Sequence, residues 1–292
     1  MLKLAKSERY LLTALLALLA AAIFSPSVAQ SAHHHAFADL RVWGLVPFAM
    51  DVLSNLPFAL WGAMGLGGVV SLFRQHKPLH TQIALAALFF AGLLLTAATS
   101  ACYHWLPNDS SLALDRLGMT VVFAGLLGLA AAGRISLRAG WRLAASVLVL
   151  GPLSIWVWAA TANVLPWALL QFGGMAMVVC FAFIKALPGA LPVRWNMVIA
   201  IYALAKLLEV ADHQIYDLTS HLVSGHSLKH VVASLAAWPV LAALQVCTSD
   251  RKTHGLASQK LSAESLALFQ HGQRRPGSAK LQFKYKKGVR DE

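Results

Sequence analysis

The sequence predicts an all-α, polytopic membrane protein built as a bundle of seven transmembrane helices. Of its 292 residues, 58% are hydrophobic and only 12% are charged, and the mean hydropathy is +0.62. A soluble globular protein needs a more polar surface than this composition supplies. Apolar stretches of about 20 residues, the length that crosses a bilayer, recur at 46–73, 81–104, 112–133, 142–160, 164–186, 194–212 and 226–246. Residues 46–248 are therefore predicted to form one seven-helix membrane domain.

The first 29 residues precede this domain and have a different pattern. They begin with basic residues, continue with a short apolar core and end in small residues, SVA. Secretory signal peptides have this order of features. We favour a cleaved signal peptide, and the alternative is an extra amino-terminal hydrophobic helix. Residues 30–45 are predicted to form an outer amino-terminal segment.

The net charge of +12 comes from basic residues that fall in loops and in the tail. The seven predicted spans place the basic loop residues on one side of the membrane: Arg74, Lys77, Arg134, Arg138, Arg142, Lys185 and Arg194. The basic tail, 249–292, lies on the same side and is predicted to be disordered. Because Lys and Arg are retained in the cytoplasm, that side is predicted to be cytoplasmic. This placement explains the charge without nucleic-acid binding.

Ionisable and polar residues gather at the outer, periplasmic ends of the spans. SACYH places Ser100 and His104 one helical turn apart at the end of span 2, and Asp115 follows at the start of span 3. GHSLKH places His226 and His230 on one face at the start of span 7. An ionisable group at the centre of a bilayer costs about 2.5 to 3.5 kcal/mol on insertion scales. A cluster at one depth therefore indicates a functional site.

Three imidazoles from two helices, without a nearby cysteine, match the ligand set of a catalytic zinc site that keeps one position open. One alternative is that the HxxxH pair is a polar stripe whose hydrogen bonds are satisfied by neighbouring carbonyl groups. Another is a b-type haem electron carrier in which His104 pairs with His226. The haem alternative gives His230 and Asp115 no role.

The motifs SACYH, Asp115 and GHSLKH resemble the SxxxH, Asp and HxxxH signature of the alkaline ceramidase family, within the CREST superfamily. The resemblance covers about residues 39–246, and DVLSNLPF and AKLLEVAD also resemble bacterial members. It implies a seven-helix hydrolase that cleaves the amide of a ceramide-like lipid at a zinc ion. The implied ligands are His104, His226 and His230, with Asp115 and Ser100 beside the metal.

Within this resemblance, Asp115 is expected to move the proton of the attacking water, and Ser100 to donate a hydrogen bond to the oxyanion or to orient Asp115. A hydrogen bond between helices is the alternative role of Ser100. Because the superfamily also includes receptors, a receptor-like or scaffold protein with a structural zinc is the alternative function. The sequence determines neither which N-acyl lipid is cleaved nor the oligomeric state.

The outer amino-terminal region departs from the family pattern. Animal ceramidases resemble each other in an acidic calcium loop, but the matching region here offers only Asp39 and Asp51. Calcium binding is therefore not expected. The run His33 to His35 is interpreted as a solvated segment, with metal collection as the alternative. Near span 7, Glu209 and Asp212 are candidate partners for the zinc histidines, although we favour an ion pair of Lys206 with Glu209.

Overall fold

The computed structural model describes residues 4–74 and 81–247 of the chain. The helices, in chain order, are α1 (Lys6–Phe24), α2 (Ala49–Leu53), α3 (Leu56–Arg74), α4 (Thr81–Trp105), α5 (Asp109–Arg134), α6 (Leu137–Thr161), α7 (Leu165–Ala182), α8 (Trp195–Val210), α9 (Asp212–Leu218) and α10 (Gly225–Ser234). After a short turn, helical structure resumes at 237–247, and together with α10 it forms the last span, Gly225–Cys247. In this part of the chain extended backbone pairing is limited to two isolated bridges. The predicted all-α class is confirmed. The predicted tail, 249–292, lies outside the described residues.

Seven helical segments in the described ranges are long and apolar enough to span a bilayer, which makes this an integral membrane protein. Their number agrees with the prediction, but their membership differs. The set includes α1 and omits α8, which has 16 residues. At 1.5 Å per residue, α8 is about 24 Å long. Just before it, the Leu191 backbone N–H donates to Gln82 Oε1 near the start of α4 at 2.9 Å, and its end contacts the start of α10, so α8 runs through the bundle between the same two levels as the longer helices. The predicted span 194–212 ends at Val210, and the separate short helix α9 begins at Asp212.

The amino-terminal helix α1 packs against α6 and α7. The Glu8 carboxylate is buried, and it accepts hydrogen bonds from the Arg138 guanidinium at 2.7 Å and from the Ser136 hydroxyl at 2.7 Å. Farther along α1, the Leu18 side chain packs against Gly173 of α7. A Cβ atom on Gly173 would lie only 2.9 Å from this side chain. Cleavage after residue 29 would remove these contacts. Whether the segment is cleaved remains a prediction.

Close packing of α4 against α5 brings two of the predicted motifs together. A Cβ atom on Gly125 of α5 would lie only 2.3 Å from the backbone nitrogen of Phe89 on α4, so glycine is needed at this crossing. The two helices are joined by a tight turn, in which Asn108 caps α5 by accepting a hydrogen bond from the Ser111 backbone N–H at 3.0 Å. The end of α4, with Ser100 and His104, therefore lies beside the first turns of α5.

Candidate metal centre

The three histidines predicted as metal ligands meet in the interior of the bundle. His104, His226 and His230 are all buried, and one ligand nitrogen from each lies within 4.8 Å of the others. The Nε2 atoms of His104 and His226 are 3.3 Å apart. Four ligands placed tetrahedrally at zinc–nitrogen distances of 2.0 to 2.1 Å are separated by about 3.3 Å. The group could therefore hold a metal ion of this kind, and the geometry alone does not define which metal.

The helix α10 carries two of these histidines, and its first turn is held in place by hydrogen bonds to several elements. Ser224 caps the helix by accepting a hydrogen bond from the Ser227 backbone N–H at 3.0 Å. The Ser227 hydroxyl donates to Asp51 Oδ1 at 2.6 Å, which ties α10 to α2. The His226 backbone N–H donates to Asp212 Oδ1 at 2.7 Å, which ties α10 to α9. Asp212 thus supports His226 through the backbone of that residue.

The orientation of the His230 ring follows from its contact with Ser54 at the end of α2. The Ser54 hydroxyl donates its proton to the Asp51 carbonyl oxygen at 2.9 Å, and Ser54 Oγ is 2.8 Å from His230 Nδ1. Because the hydroxyl has only one proton, it accepts a hydrogen bond from His230 Nδ1. Neutral His230 therefore carries its proton on Nδ1 and keeps a lone pair on Nε2 for a metal. Sequence reasoning missed this role of Ser54, which lies in the motif DVLSNLPF.

Gly225 allows α10 to begin in direct contact with the end of α8. A Cβ atom at this position would lie 2.2 Å from the Leu208 carbonyl oxygen and 2.8 Å from the Asp212 Cα atom. These are backbone atoms, so a larger residue must displace the start of the helix. Displacement of this turn moves His226, the next residue.

Gly225→Ala is therefore expected to lower the metal content of the purified protein. Gly67→Ala is the matched control, because a Cβ atom on Gly67 of α3 meets nothing within 4 Å. Both variants change one helical glycine to alanine, and metal content is measured by elemental analysis. Equal metal content in wild type and Gly225→Ala would contradict the proposed dependence of the centre on this helix contact.

Ser100 and Asp115 line the same cavity as His230. The Ser100 side chain lies near the Asp115 carboxylate. Asp115 Oδ1 is buried and has no hydrogen-bond partner among the described residues. The group of three possible metal ligands does not include Asp115. The structure thus brings together the five predicted site residues, with a free carboxylate oxygen beside the histidines and available to a bound molecule.

Two lysines and one glutamate form an ion-pair network at the edge of this cavity. Lys206 pairs with Glu209 Oε2, as predicted, and Lys229 pairs with Glu209 Oε1 at 2.7 Å. The ion pair of Lys229 with Glu209 joins α10 to α8 across 20 residues. The spacing of residues within one helix could not predict this pair.

A second, almost entirely apolar cavity adjoins the site cavity and extends into the bundle. The two cavities share six lining residues: Phe58, Thr96, Met119, Gln171, Tyr202 and Ala233. The apolar cavity continues past Phe89 and Leu93 of α4 toward Val178 of α7. A cavity lined by polar and ionisable groups therefore adjoins an apolar slot, and mostly apolar pockets with a few polar groups are typical of ligand sites.

The outer segment covers the histidine centre. The ring of Phe37 lies 4.8 Å from the His104 ring and 4.6 Å from the His226 ring, measured between centroids. Nearby, burial raises the pKa of Asp39, but hydrogen bonds from Arg41 outweigh this effect and keep the pKa below its usual value. Asp39 thus pairs with Arg41 through both carboxylate oxygens, and Asp51 Oδ1 accepts hydrogen bonds from the Ser224 and Ser227 hydroxyls. Asp51 Oδ2 is buried and has no hydrogen-bond partner among the described residues.

Neither a protein-family model nor a curated protein sequence matches this chain. The resemblance to alkaline ceramidases therefore depends on the motifs quoted above, and membership of that family remains a hypothesis.

Proposed function

We propose that this protein is a zinc-dependent integral membrane amidase that hydrolyses the N-acyl amide of a ceramide-like lipid. The products are a free fatty acid and a sphingoid-type amine. The observation that carries the proposal is the convergence of three buried imidazoles and an unpaired Asp115 carboxylate oxygen beside an apolar slot.

Zinc is the metal that the donor set favours. Three imidazoles, without a thiolate in the group, are typical of catalytic zinc sites that keep a fourth position for water or substrate. Zinc, when bound, polarises a carbonyl group and makes water a stronger nucleophile near neutral pH. A structural zinc is normally closed by four protein ligands, so the set of three supports the enzyme over the scaffold.

Asp115 and Ser100 supply the proton transfer and the hydrogen bonds. Asp115 accepts a proton as water attacks the amide carbon, and it delivers that proton to the nitrogen as the carbon–nitrogen bond breaks. Its free Oδ1 atom is the acceptor in this scheme. Ser100 donates a hydrogen bond to the carbonyl oxygen, where negative charge develops, or holds Asp115 in place.

The apolar slot supports a lipid amide as the substrate. An acyl chain in the slot, lined by Phe58, Phe89 and Leu93, places its carboxamide end in the polar cavity with Asp115 and His230. The two lysines at that cavity are balanced in part by Glu209. Purified protein incubated with a panel of N-acyl lipids is expected to release fatty acid and amine in equal amounts from at least one of them. Absence of release from the whole panel would favour the receptor-like alternative.

The histidine geometry argues against the haem alternative. Two axial ligands of a haem iron lie on opposite faces of the macrocycle. The 3.3 Å between the Nε2 atoms of His104 and His226 leaves no space for a macrocycle between them. A visible spectrum of the purified protein distinguishes the two: a zinc protein has no Soret band.

We expect the metal centre to face the periplasm of a bacterial inner membrane, with a cytoplasmic carboxyl terminus. The reason is that loops rich in Lys and Arg stay on the cytoplasmic side of a membrane, and the centre lies at the opposite ends of the spans. Single cysteines introduced into a variant without Cys102, Cys180 and Cys247 test this. Ser110→Cys is expected to react with an impermeant reagent added outside, and Leu137→Cys only after the membrane is opened. The reverse pattern would place the centre in the cytoplasm.

A further inference from the structure

A second group of potential metal ligands lies at the outer surface, where the amino-terminal segment meets the start of α5. The Nε2 atom of His34 is 3.3 Å from Asp109 Oδ1, and the Nε2 atom of His35 is 3.2 Å from the same oxygen. The two imidazole rings also contact each other, with centroids 3.7 Å apart. Three ligand atoms from two separate segments therefore converge on one point.

The hydrogen bonds on the far side of each ring fix where its proton lies. His34 Nδ1 contacts the Ser31 carbonyl oxygen, which can only accept, so Nδ1 carries the proton. His35 Nδ1 is 2.9 Å from the Tyr103 hydroxyl oxygen, which also lies 3.4 Å from the His34 carbonyl oxygen. When the hydroxyl donates to that carbonyl oxygen, His35 Nδ1 is also the donor. In the neutral imidazoles, both Nε2 atoms are left with lone pairs.

In this tautomer, two nitrogen lone pairs and a carboxylate oxygen face one another around Asp109 Oδ1. His34 Nε2 is buried and has no hydrogen-bond partner among the described residues. Acceptors brought together in this way, and partly removed from water, are unfavourable unless a proton or a metal cation lies among them. The distances of 3.2 and 3.3 Å match the separation of about 3.3 Å between ligands of a tetrahedral zinc ion.

We infer that His34, His35 and Asp109 form a second metal site for a first-row divalent cation such as zinc. Calcium and magnesium prefer sets made entirely of oxygen ligands, whereas imidazole favours zinc and its neighbours. The side chain of Asp109 is 73% exposed, so the site is open to outer water and binds more weakly than the buried centre. Under this inference the histidine run collects metal, which was the alternative to a solvated segment.

Occupancy of this site also fastens the outer segment over the buried centre. Two residues after His35, Phe37 packs on the rings of His104 and His226. Tyr103, which orients His35, is adjacent in sequence to His104. A metal bridge between the histidines and Asp109 ties residues 34–37 to the start of α5. This inference does not depend on the amidase proposal, since the ligands form a separate group.

Zinc titration of the full chain in detergent micelles tests the second site. After metal removal, equilibrium dialysis of the wild type is expected to show a tight site and a weaker one. Loss of a supporting partner lowers metal affinity by about 10- to 100-fold. His35→Ala and Asp109→Asn should each lower the zinc affinity of only the weaker site, by at least this factor. His33→Ala is the matched control, because it removes a histidine from the same run but not from the ligand group.

Retention of the tight site in each variant shows that the chain remains folded. A single zinc site in the wild type would overturn the inference, and so would a weaker site that survives in both His35→Ala and Asp109→Asn. Equal weakening in His33→Ala would also overturn it, because the histidine run would then bind zinc without the predicted geometry.

Discussion

Replacement of His226 or His230 by alanine is expected to remove the tightly bound zinc and, with it, hydrolysis of any N-acyl lipid. In the proposed site each of them would supply one of three nitrogen ligands. Loss of a supporting partner alone lowers metal affinity by about 10- to 100-fold, so loss of a ligand should lower it further. Zinc per chain after dialysis and fatty acid release are measured on the same preparation.

His213→Ala is the control for these two variants, since His213 is an exposed histidine on α9 outside the ligand group. It should retain the tight zinc. Helical content from circular dichroism distinguishes lost ligation from unfolding. Full occupancy of the tight site in both His226→Ala and His230→Ala would show that the metal binds elsewhere.

Asp115→Asn is expected to lower turnover by about 10² to 10⁴ while the zinc content stays unchanged. This is the usual effect of removing a positioned acid–base group. Asparagine has nearly the same shape and can still form hydrogen bonds, but it cannot accept a proton and return it. The Asp115 Oδ1 atom has no partner within the described residues, so few existing contacts are lost.

Asp217→Asn provides the comparison, because the side chain of Asp217 is 75% exposed on α9 and should not affect turnover. If Asp115 instead supports His104, its replacement should weaken zinc binding, and activity should fall only as metal is lost. Undiminished hydrolysis in Asp115→Asn would exclude the acid–base role.

The helical periodicity of the sequence was sufficient to predict most of the fold and which site residues share a helix face. The meeting of His104 with His226, 122 residues apart, was predicted from the common depth of the spans and from the motif resemblance. SxxxH and HxxxH place their members on one face of a helix whatever the surroundings. The turn between α4 and α5 then brings Asp115 back to the level of His104. These relations are local or involve adjacent helices, which is why a single sequence contains them.

The contacts that the sequence did not predict join distant parts of the chain. Ser54 contacts His230 across 176 residues, and Glu8 contacts Arg138 across 130. Such pairs depend on how helices pack, which hydrophobic periodicity does not specify. The length of α8 was also overestimated, since apolar residues continue to its end and the break at Ala211 has no proline or glycine. The pairing of His34 and His35 with Asp109 likewise appears only once the outer segment is folded against α5.

The most direct measurement is amide hydrolysis by one preparation of wild-type protein before metal removal, after removal, and after return of zinc. Fatty acid release from a susceptible N-acyl lipid is expected to disappear with the tight zinc and to return when that site is refilled. The buried group of His104, His226 and His230 is the site that must be refilled. Hydrolysis that persists without metal, or zinc-loaded protein that cleaves no N-acyl lipid, would contradict the assignment as a zinc-dependent lipid amidase.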